Sequence, residues 1–307
     1  MDCLDWSSCR ICSRECGVNR GSGMLGFCKA GTSFEIASVC IHHGEEPVIS
    51  GNKGICNVFF KRCNLQCVFC QNDQISRNTL PVGDPAMSLD EVVSQIIPIL
   101  DSGIKLIGFV SPSHCIPQMI CIIDALHEKG FHPRIVYNSN GYDKVETLKL
   151  LEDYVDIYLP DFKYADDALA LEYSKVADYS AKAMAALKEM YRQKGSLLLK
   201  NDEGQAESGL IIRHLVLPGN IENSKNVLRL LADELSVALH ISLMSQYFPT
   251  SDVRNHPLLG RMLTTEEYDE VVEEMNNLGF YKGWVQELQS AICYRPDFEQ
   301  EHPFDTK

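Results

Sequence analysis

From residue 55 onward the chain alternates short apolar runs with amphipathic stretches. ICNVFF (55–60), KLIGFV (105–110), RIVYN (134–138), VDIYL (155–159), GLIIRHLVL (209–217) and ALHISLM (238–244) read as strands. Helical patterns fall between them. Ser88-Leu89-Asp90-Glu91, a serine cap with acids in the first turn, opens a helix through VVSQIIPIL, which Pro98 is expected to kink or end. CIIDALHEKG (121–130) closes at Gly130, and further helices are expected at Lys144–Leu151, around 166–175, at 179–193 and at Glu222–Leu235. Thr264-Thr265-Glu266-Glu267 caps another helix, and YKGWVQEL (281–288) reads as a last extended piece.

Strand then helix, six times over, implies parallel strands joined by helical crossovers. Six units are too few for a closed eight-stranded barrel. The expected class is therefore α/β, an open partial parallel barrel of about six strands. Residues 1–54, rich in Gly and Cys, read as an irregular N-terminal extension; 55–250 form the core, and 251–307 a helix and tail packed on it. In such folds the working groups sit on loops at the carboxyl ends of strands. The unusual polar sequences fall there: KRCNLQCVFC, SPSH, SNG, PDFK, PGN and SQY, after strands one to six in turn.

Charge narrows the partners. Lys and Arg number 28 against 42 Asp and Glu, a formal charge of −14 over 307 residues. Nucleic acid is gripped through a basic face, and no basic run here exceeds the pair Lys61-Arg62. Neither nucleic acid nor an anionic membrane surface is an expected partner. No apolar run approaches the ~18 residues of a bilayer span. The acidic start, Met1-Asp2-Cys3-Leu4-Asp5, differs from the basic head of a secretory signal. The expected location is the cytoplasm.

Thirteen cysteines change the picture. Cytoplasmic thiols stay reduced, so a surplus points to metal or redox chemistry. Cys3, Cys40, Cys56, Cys115, Cys121 and Cys293 are scattered and read as small buried hydrophobes. Cys63-x3-Cys67-x2-Cys70 is different: three thiolates on one short loop can wrap one face of an iron–sulfur cluster and leave one iron open, the alternative being a zinc knuckle. Cys9-x2-Cys12-x3-Cys16-x11-Cys28 supplies four thiolates, enough to close a coordination sphere around zinc or an auxiliary iron–sulfur cluster, with unligated thiols as the alternative. Bound metal would explain how so Gly-rich a segment becomes ordered. His42 and His43 are candidate extra ligands or plain polar surface, and Glu45 and Glu46 face either the barrel or solvent.

Cys-x3-Cys-x-aromatic-Cys, with Phe69 before the last cysteine, resembles the signature loop of the radical SAM superfamily. FFKRCNLQCVFCQN is similar to the group around pyruvate formate-lyase activating enzyme. The likeness extends through EEPVISG, VYNSNGY, YLPDFKY, IRHLVLPGN and SQYFP, roughly residues 42–270, and is strongest for an uncharacterised activating-enzyme-like branch. The resemblance implies that Cys63, Cys67 and Cys70 hold a 4Fe–4S cluster whose fourth iron binds the amino and carboxylate groups of S-adenosylmethionine (SAM). One electron would then cleave the sulfonium to methionine and a 5′-deoxyadenosyl radical, which takes a hydrogen atom from substrate.

The same resemblance places Phe69 near the adenine and Asn138, Ser139 and Asn140 in a loop contacting cofactor and a monovalent cation. It makes Asp161 and Lys163 an Asp-x-Lys after the fourth strand, puts Arg213 near the methionine moiety, and sets Tyr247 where the activating enzyme has a histidine. Lys163 and Arg213 suit a carboxylate, Arg bidentately; the bland alternatives are a surface amine and a plain salt bridge. Arg213 and His214 are neighbours on a strand, so only one looks into the barrel. The chain departs from the family where many members carry a Gly-Gly-Glu-like turn. Here Val110-Ser111-Pro112-Ser113-His114 stands, making Ser111 and His114 the candidate SAM contacts, with a solvent-facing or helix-capping histidine as the alternative.

A flavodoxin or ferredoxin is the implied electron donor, and Lys53, Lys61, Arg62 and Arg77 around the loop are expected to give its acidic surface a docking spot. The substrate is an unidentified protein, activated by making a glycyl radical, or a small molecule. A non-catalytic iron–sulfur electron carrier or sensor is the reading from another class, and it predicts no SAM binding.

Overall fold

The computed structural model describes residues 6–81, 86–288, 296–300 and 302–304, so Cys3 and Cys293 lie outside the described residues. The sheet starts earlier than the alternation suggests: β1 (Ile36–His42), inside the stretch read as irregular extension, lies antiparallel on the edge of β2 (Ile55–Phe60). From β2 the sheet runs parallel through β3 (Leu106–Val110), β4 (Arg134–Ser139) and β5 (Ile157–Pro160). The two-residue β6 (Leu199–Lys200) only flanks β7 (Ala206–Leu215), which pairs directly with β5 and then with β8 (His240–Met244). The last extended piece becomes β9 (Lys282–Val285), parallel to β8, so the parallel run has seven strands. Its edges, β1 and β9, do not pair, and the barrel stays open.

Helices occupy the connections: α1 (Pro47–Ser50), α2 (Asp73–Ser76), α3 (Leu89–Asp101), α4 (Ile116–Glu128), α5 (Val145–Leu150), α6 (Asp167–Ser174), α7 (Tyr179–Lys194), α8 (Ile221–Glu234) and α9 (Thr265–Asn277). Reciprocal capping boxes start α3 (Ser88 with Glu91) and α9 (Thr264 with Glu267), as their sequences imply. Pro98 lies inside α3, which continues to Asp101. Among the described residues no helix is long and apolar enough to cross a membrane.

The two-residue period of the strands sorts side chains between two cores. Cys56, Val58, Ile107, Phe109, Ile135 and Tyr137 belong to the large core that includes the buried faces of α3 and α4. Ile55, Leu106, Val136, Ile157, Leu159 and Ile211 form a separate layer on the opposite face of the sheet, capped by Val48 and Ile49 of α1. Further along the strands that inner face turns polar, at Asn57, Asn138, Arg213 and Ser242. Apolar floor and polar mouth define where a ligand can enter.

Residues 6–35 pack on the carboxyl ends of β2, β3 and β4. Arg14 Nε donates to the Asn64 carbonyl at 2.9 Å, Arg20 to the His114 carbonyl at 2.9 Å, and Ser13 Oγ to the Asp143 carbonyl at 2.8 Å. Thr147 Oγ1 in turn donates to the Ile11 carbonyl at 2.7 Å. At the other end of the chain, Phe298 and Phe304 lie against Phe59 with ring centroids 5.1 and 5.7 Å away.

Docking of β9 depends on Gly283, whose φ is +114° and where an added Cβ would come within 1.9 Å of the Ile241 carbonyl oxygen. Gly283→Ala should lower stability by roughly 1–3 kcal/mol from backbone strain, with further loss as β9 is displaced. A urea midpoint equal to wild type would show that β9 does not need this close approach.

Candidate active site

The chain leaves β2 through Arg62 in the left-handed region, at φ +68°, an unfavourable conformation for a long side chain. It is held from both ends. The Arg62 amide donates to the Ile75 carbonyl at 2.7 Å, and its buried guanidinium pairs with Glu35 at 2.7 Å and donates to the Pro81 carbonyl at 2.8 Å. That turn aims the next eight residues, Cys63 to Cys70, over the mouth.

Each of the three sulfurs on this loop receives a hydrogen bond. The Leu65 amide and Asn140 Nδ2 donate to Cys63 Sγ, both at 3.3 Å. Ser174 Oγ at the end of α6 donates to Cys67 Sγ at 3.0 Å, and Ser76 Oγ in α2 to Cys70 Sγ at 3.3 Å. Burial first, and then the neighbouring Cys67 sulfur, push the Cys63 thiol up to about 12. A free thiolate is thus disfavoured here, and a soft metal is what would stabilise it. Lys163, at the carboxyl end of β5, pairs with Asp161 and lies within the field of Cys67 and Cys70. Burial works against its ammonium, but Asp161 and then Cys67 outweigh that and raise its pKa.

Beside the loop is a cavity of about 400 Å³, with Gln71 and Asn72, the two residues after Cys70, in its wall. Its polar end is an ion triplet. Arg213 of β7 pairs with Glu45, and its Nε and Nη2 reach Glu46 Oε1 and Oε2 at 2.8 and 2.6 Å. Glu45 also accepts from Asn57 Nδ2 at 2.9 Å, which Gly108 on β3 permits: a Cβ there would come within 2.1 Å of Asn57 Oδ1. Burial alone would raise the Glu45 pKa; the Arg213 guanidinium overrides it and holds the carboxyl below its ordinary range. The remaining walls include Phe59, Trp284, Gln246 and Phe304.

Comparison with known proteins agrees with this geometry. The sequence profile of the radical SAM superfamily matches residues 57–231, more than half of the chain. The chain belongs to the radical SAM superfamily. It is 30% identical over 273 residues to the uncharacterised protein MJ0674 of Methanocaldococcus jannaschii, covering 87% of this chain and 74% of that one. Among solved structures it resembles HydG, a maturase of the [FeFe]-hydrogenase, with a TM-score of 0.50 at 13% identity, over 77% of this chain and 53% of the HydG chain. A domain of pyruvate-formate lyase-activating enzyme from Bacteroides vulgatus is also similar, at a TM-score of 0.39 and 14% identity over 56% of this chain and 93% of that domain. Superfamily membership implies a 4Fe–4S cluster and SAM, and carries the general radical SAM reaction.

The donor set fits that cofactor: three soft thiols on one loop, each facing an N–H or O–H donor, with a buried lysine close by. Of the SAM contacts expected in the superfamily, Asn138 and Arg213 line the cavity. Asn140 reaches the cysteine loop, and Asp161 with Lys163 stands against it. Phe69 packs on Tyr247 with ring centroids 6.2 Å apart, and the Tyr247 hydroxyl donates to the Leu259 carbonyl at 2.6 Å. Ser139 is buried against Asp143 at 2.6 Å. Ser111 occupies a left-handed turn, φ +54°, and donates its amide to the Asn138 carbonyl.

His114 is fully buried away from the cavity, with Nε2 3.0 Å from the Lys61 carbonyl, and burial lowers its pKa to about 4. His214 likewise turns to the helical side, between the Phe162 carbonyl at 2.7 Å and Ser224 Oγ at 2.9 Å, so Arg213 is the neighbour that faces the mouth. One expectation is corrected. Arg62 is only 2% exposed and bound to Glu35, so it cannot form part of a docking surface; Arg77, too, pairs with Asp252 at 2.7 Å. Serines 76 and 174 and the Asn57–Gly108 pair had no sequence signal, because their roles exist only once distant strands meet.

Arg213→Gln should leave two buried carboxylates without their cation and cost about 3–5 kcal/mol at neutral pH. In wild type the depressed Glu45 pKa stabilises the fold above the unfolded-state value of about 4.3 and ceases to do so as pH falls through the lower folded value. In the variant burial is no longer opposed by the guanidinium and raises the Glu45 pKa relative to wild type. The deficit should therefore narrow between about pH 7 and about pH 4. Urea unfolding at both pH values checks this, and a pH-independent deficit would refute the assignment.

Proposed function

We propose that this protein is a SAM-cleaving enzyme in which Cys63, Cys67 and Cys70 hold the cluster, and that it works on an unidentified substrate in the manner of the activating-enzyme-like group. When bound, the cluster and SAM supply a 5′-deoxyadenosyl radical for hydrogen abstraction. This chain's residues do the rest. Asn140, Ser76, Ser174 and the Leu65 amide orient the sulfurs. Phe69 and Tyr247 offer an apolar wall for the adenine, Lys163 is the cation for the methionine carboxylate, and Arg213, held by Glu45 and Glu46, stands beside the methionine moiety. Ser111, Ser139 and His114 act more distantly, by shaping the turns that carry those groups.

The observation that carries this reading is the cavity of about 400 Å³ whose wall includes Gln71 and Asn72, the two residues that follow the three-cysteine loop. It is room that an electron carrier has no use for. Glu45, Glu46 and Glu287 line it against the single cation Arg213 among the described lining residues, so a neutral or cationic substrate fits better than a phosphorylated one. The donor is a flavodoxin or ferredoxin in the cytoplasm. A soft metal at Cys9, Cys12, Cys16 and Cys28, zinc or a second cluster, belongs to the same reading.

The test is anaerobic reconstitution, reduction and addition of SAM, with 5′-deoxyadenosine as the product measured. Cys63→Ala, Cys67→Ala or Cys70→Ala should each abolish it, whereas Cys9→Ala or Cys12→Ala should spare the SAM-dependent cluster. A verified cluster that yields no 5′-deoxyadenosine would favour the carrier.

A further inference from the structure

The four N-terminal cysteines converge although their segment has little regular structure. Cys12 lies within electrostatic reach of Cys9, Cys16 and Cys28, and Cys28 within reach of Cys9 and Cys16. Cys9, Cys12 and Cys28 are buried. The backbone is shaped around the fourth: the Phe27 amide donates to Cys16 Sγ at 3.4 Å, and a Cβ on Gly26 would come within 2.9 Å of that sulfur. Among the described residues no three His, Cys, Asp or Glu side chains are close enough to share a single metal ion, which holds for Cys63, Cys67 and Cys70 as well. Thiolates around a four-iron cluster stand further apart than those around one ion. Neither set is grouped closely enough for one ion, as a cluster with its wider reach requires.

The deciding neighbour is Arg20. It is 3% exposed, donates to the His114 carbonyl at 2.9 Å and to Cys28 Sγ at 3.3 Å, and its Nε has no partner. Among the described residues no carboxylate pairs with it; the Trp6 ring lies 5.8 Å from its guanidinium carbon, and the anion-forming groups around it are Cys28, Cys9, Cys115 and Cys12. A guanidinium cannot shed its proton, and a buried charge without a counter-charge is costly. Neutral thiols do not answer it, whereas metal-bound thiolates do.

We propose that Cys9, Cys12, Cys16 and Cys28 hold a second iron–sulfur cluster, with Arg20 as its built-in counter-charge. A cluster ringed by four thiolates remains anionic, and the guanidinium against Cys28 offsets part of that charge. Binding would also order the segment. The order reaches the first loop, because Arg14 stacks on Phe27, 3.6 Å from its ring centroid, while holding the Asn64 carbonyl next to Cys63.

The test uses the full chain with Cys63, Cys67 and Cys70 all replaced by alanine, reconstituted anaerobically with iron and sulfide. It should hold about four irons and four acid-labile sulfides per chain, and Cys12→Ala or Cys28→Ala added to it should remove them. One zinc without sulfide, or no metal, would overturn the proposal. Should the triple variant not fold, wild type should hold about four more irons than its Cys12→Ala variant; equal counts overturn it. Arg20→Gln in wild type should keep the iron but move the midpoint of this cluster to a more negative potential, since losing a nearby cation disfavours an added electron. An unchanged midpoint would dismiss Arg20. None of these readouts needs SAM cleavage, so this proposal and the catalytic reading can fail separately.

Discussion

Buried and partly buried cations at the carboxyl ends of the parallel strands must each meet an anion, and the mouth of the barrel is organised by that requirement. Arg62 meets Glu35, Arg213 meets Glu45 and Glu46, and Lys163 meets Asp161. Each pair is poorly hydrated, so breaking one costs far more than losing a surface salt bridge. Arg20 alone among these has sulfur rather than carboxylate beside it.

These pairings also decide how the N-terminal segment relates to the core. Glu35, Glu45 and Glu46 all precede β2, yet their partners lie on the cysteine loop and on β7. With β1 already in the sheet and Arg14 on the Asn64 carbonyl, the segment is a working part of the mouth rather than an appendage. Parallel strands make this economical in space: β2 to β5 and β7 to β9 all end on the same side, so short loops suffice to bring sulfur donors, cations and the cavity wall together.

Much of this was legible in the chain itself. Periodicity located the strands to within a few residues because buried parallel strands are continuous apolar runs, and the capping boxes at Ser88 and Thr264 marked helix starts by local chemistry. β1 escaped because IASVCIH shows neither a clean two-residue period nor a continuous apolar run, and it lies within a segment rich in Gly and Cys. Pro98 does not end α3, since packing of Val92, Val93 and Ile96 carries the helix past it to Asp101.

Sequence alone determined the chemistry on offer: three thiols at fixed spacing on one loop, four more near the N-terminus, and an α/β core to carry them. Those are properties of near neighbours along the chain, where spacing is geometry. Tertiary structure alone decided which groups serve that chemistry. It set Ser174 against Cys67, turned Arg213 inward and His214 outward, buried Arg62, and left Arg20 facing sulfur. Such roles depend on burial and on which groups the fold brings together, from Cys28, eight residues from Arg20, to Glu46, 167 residues from Arg213, and neither is written in local order.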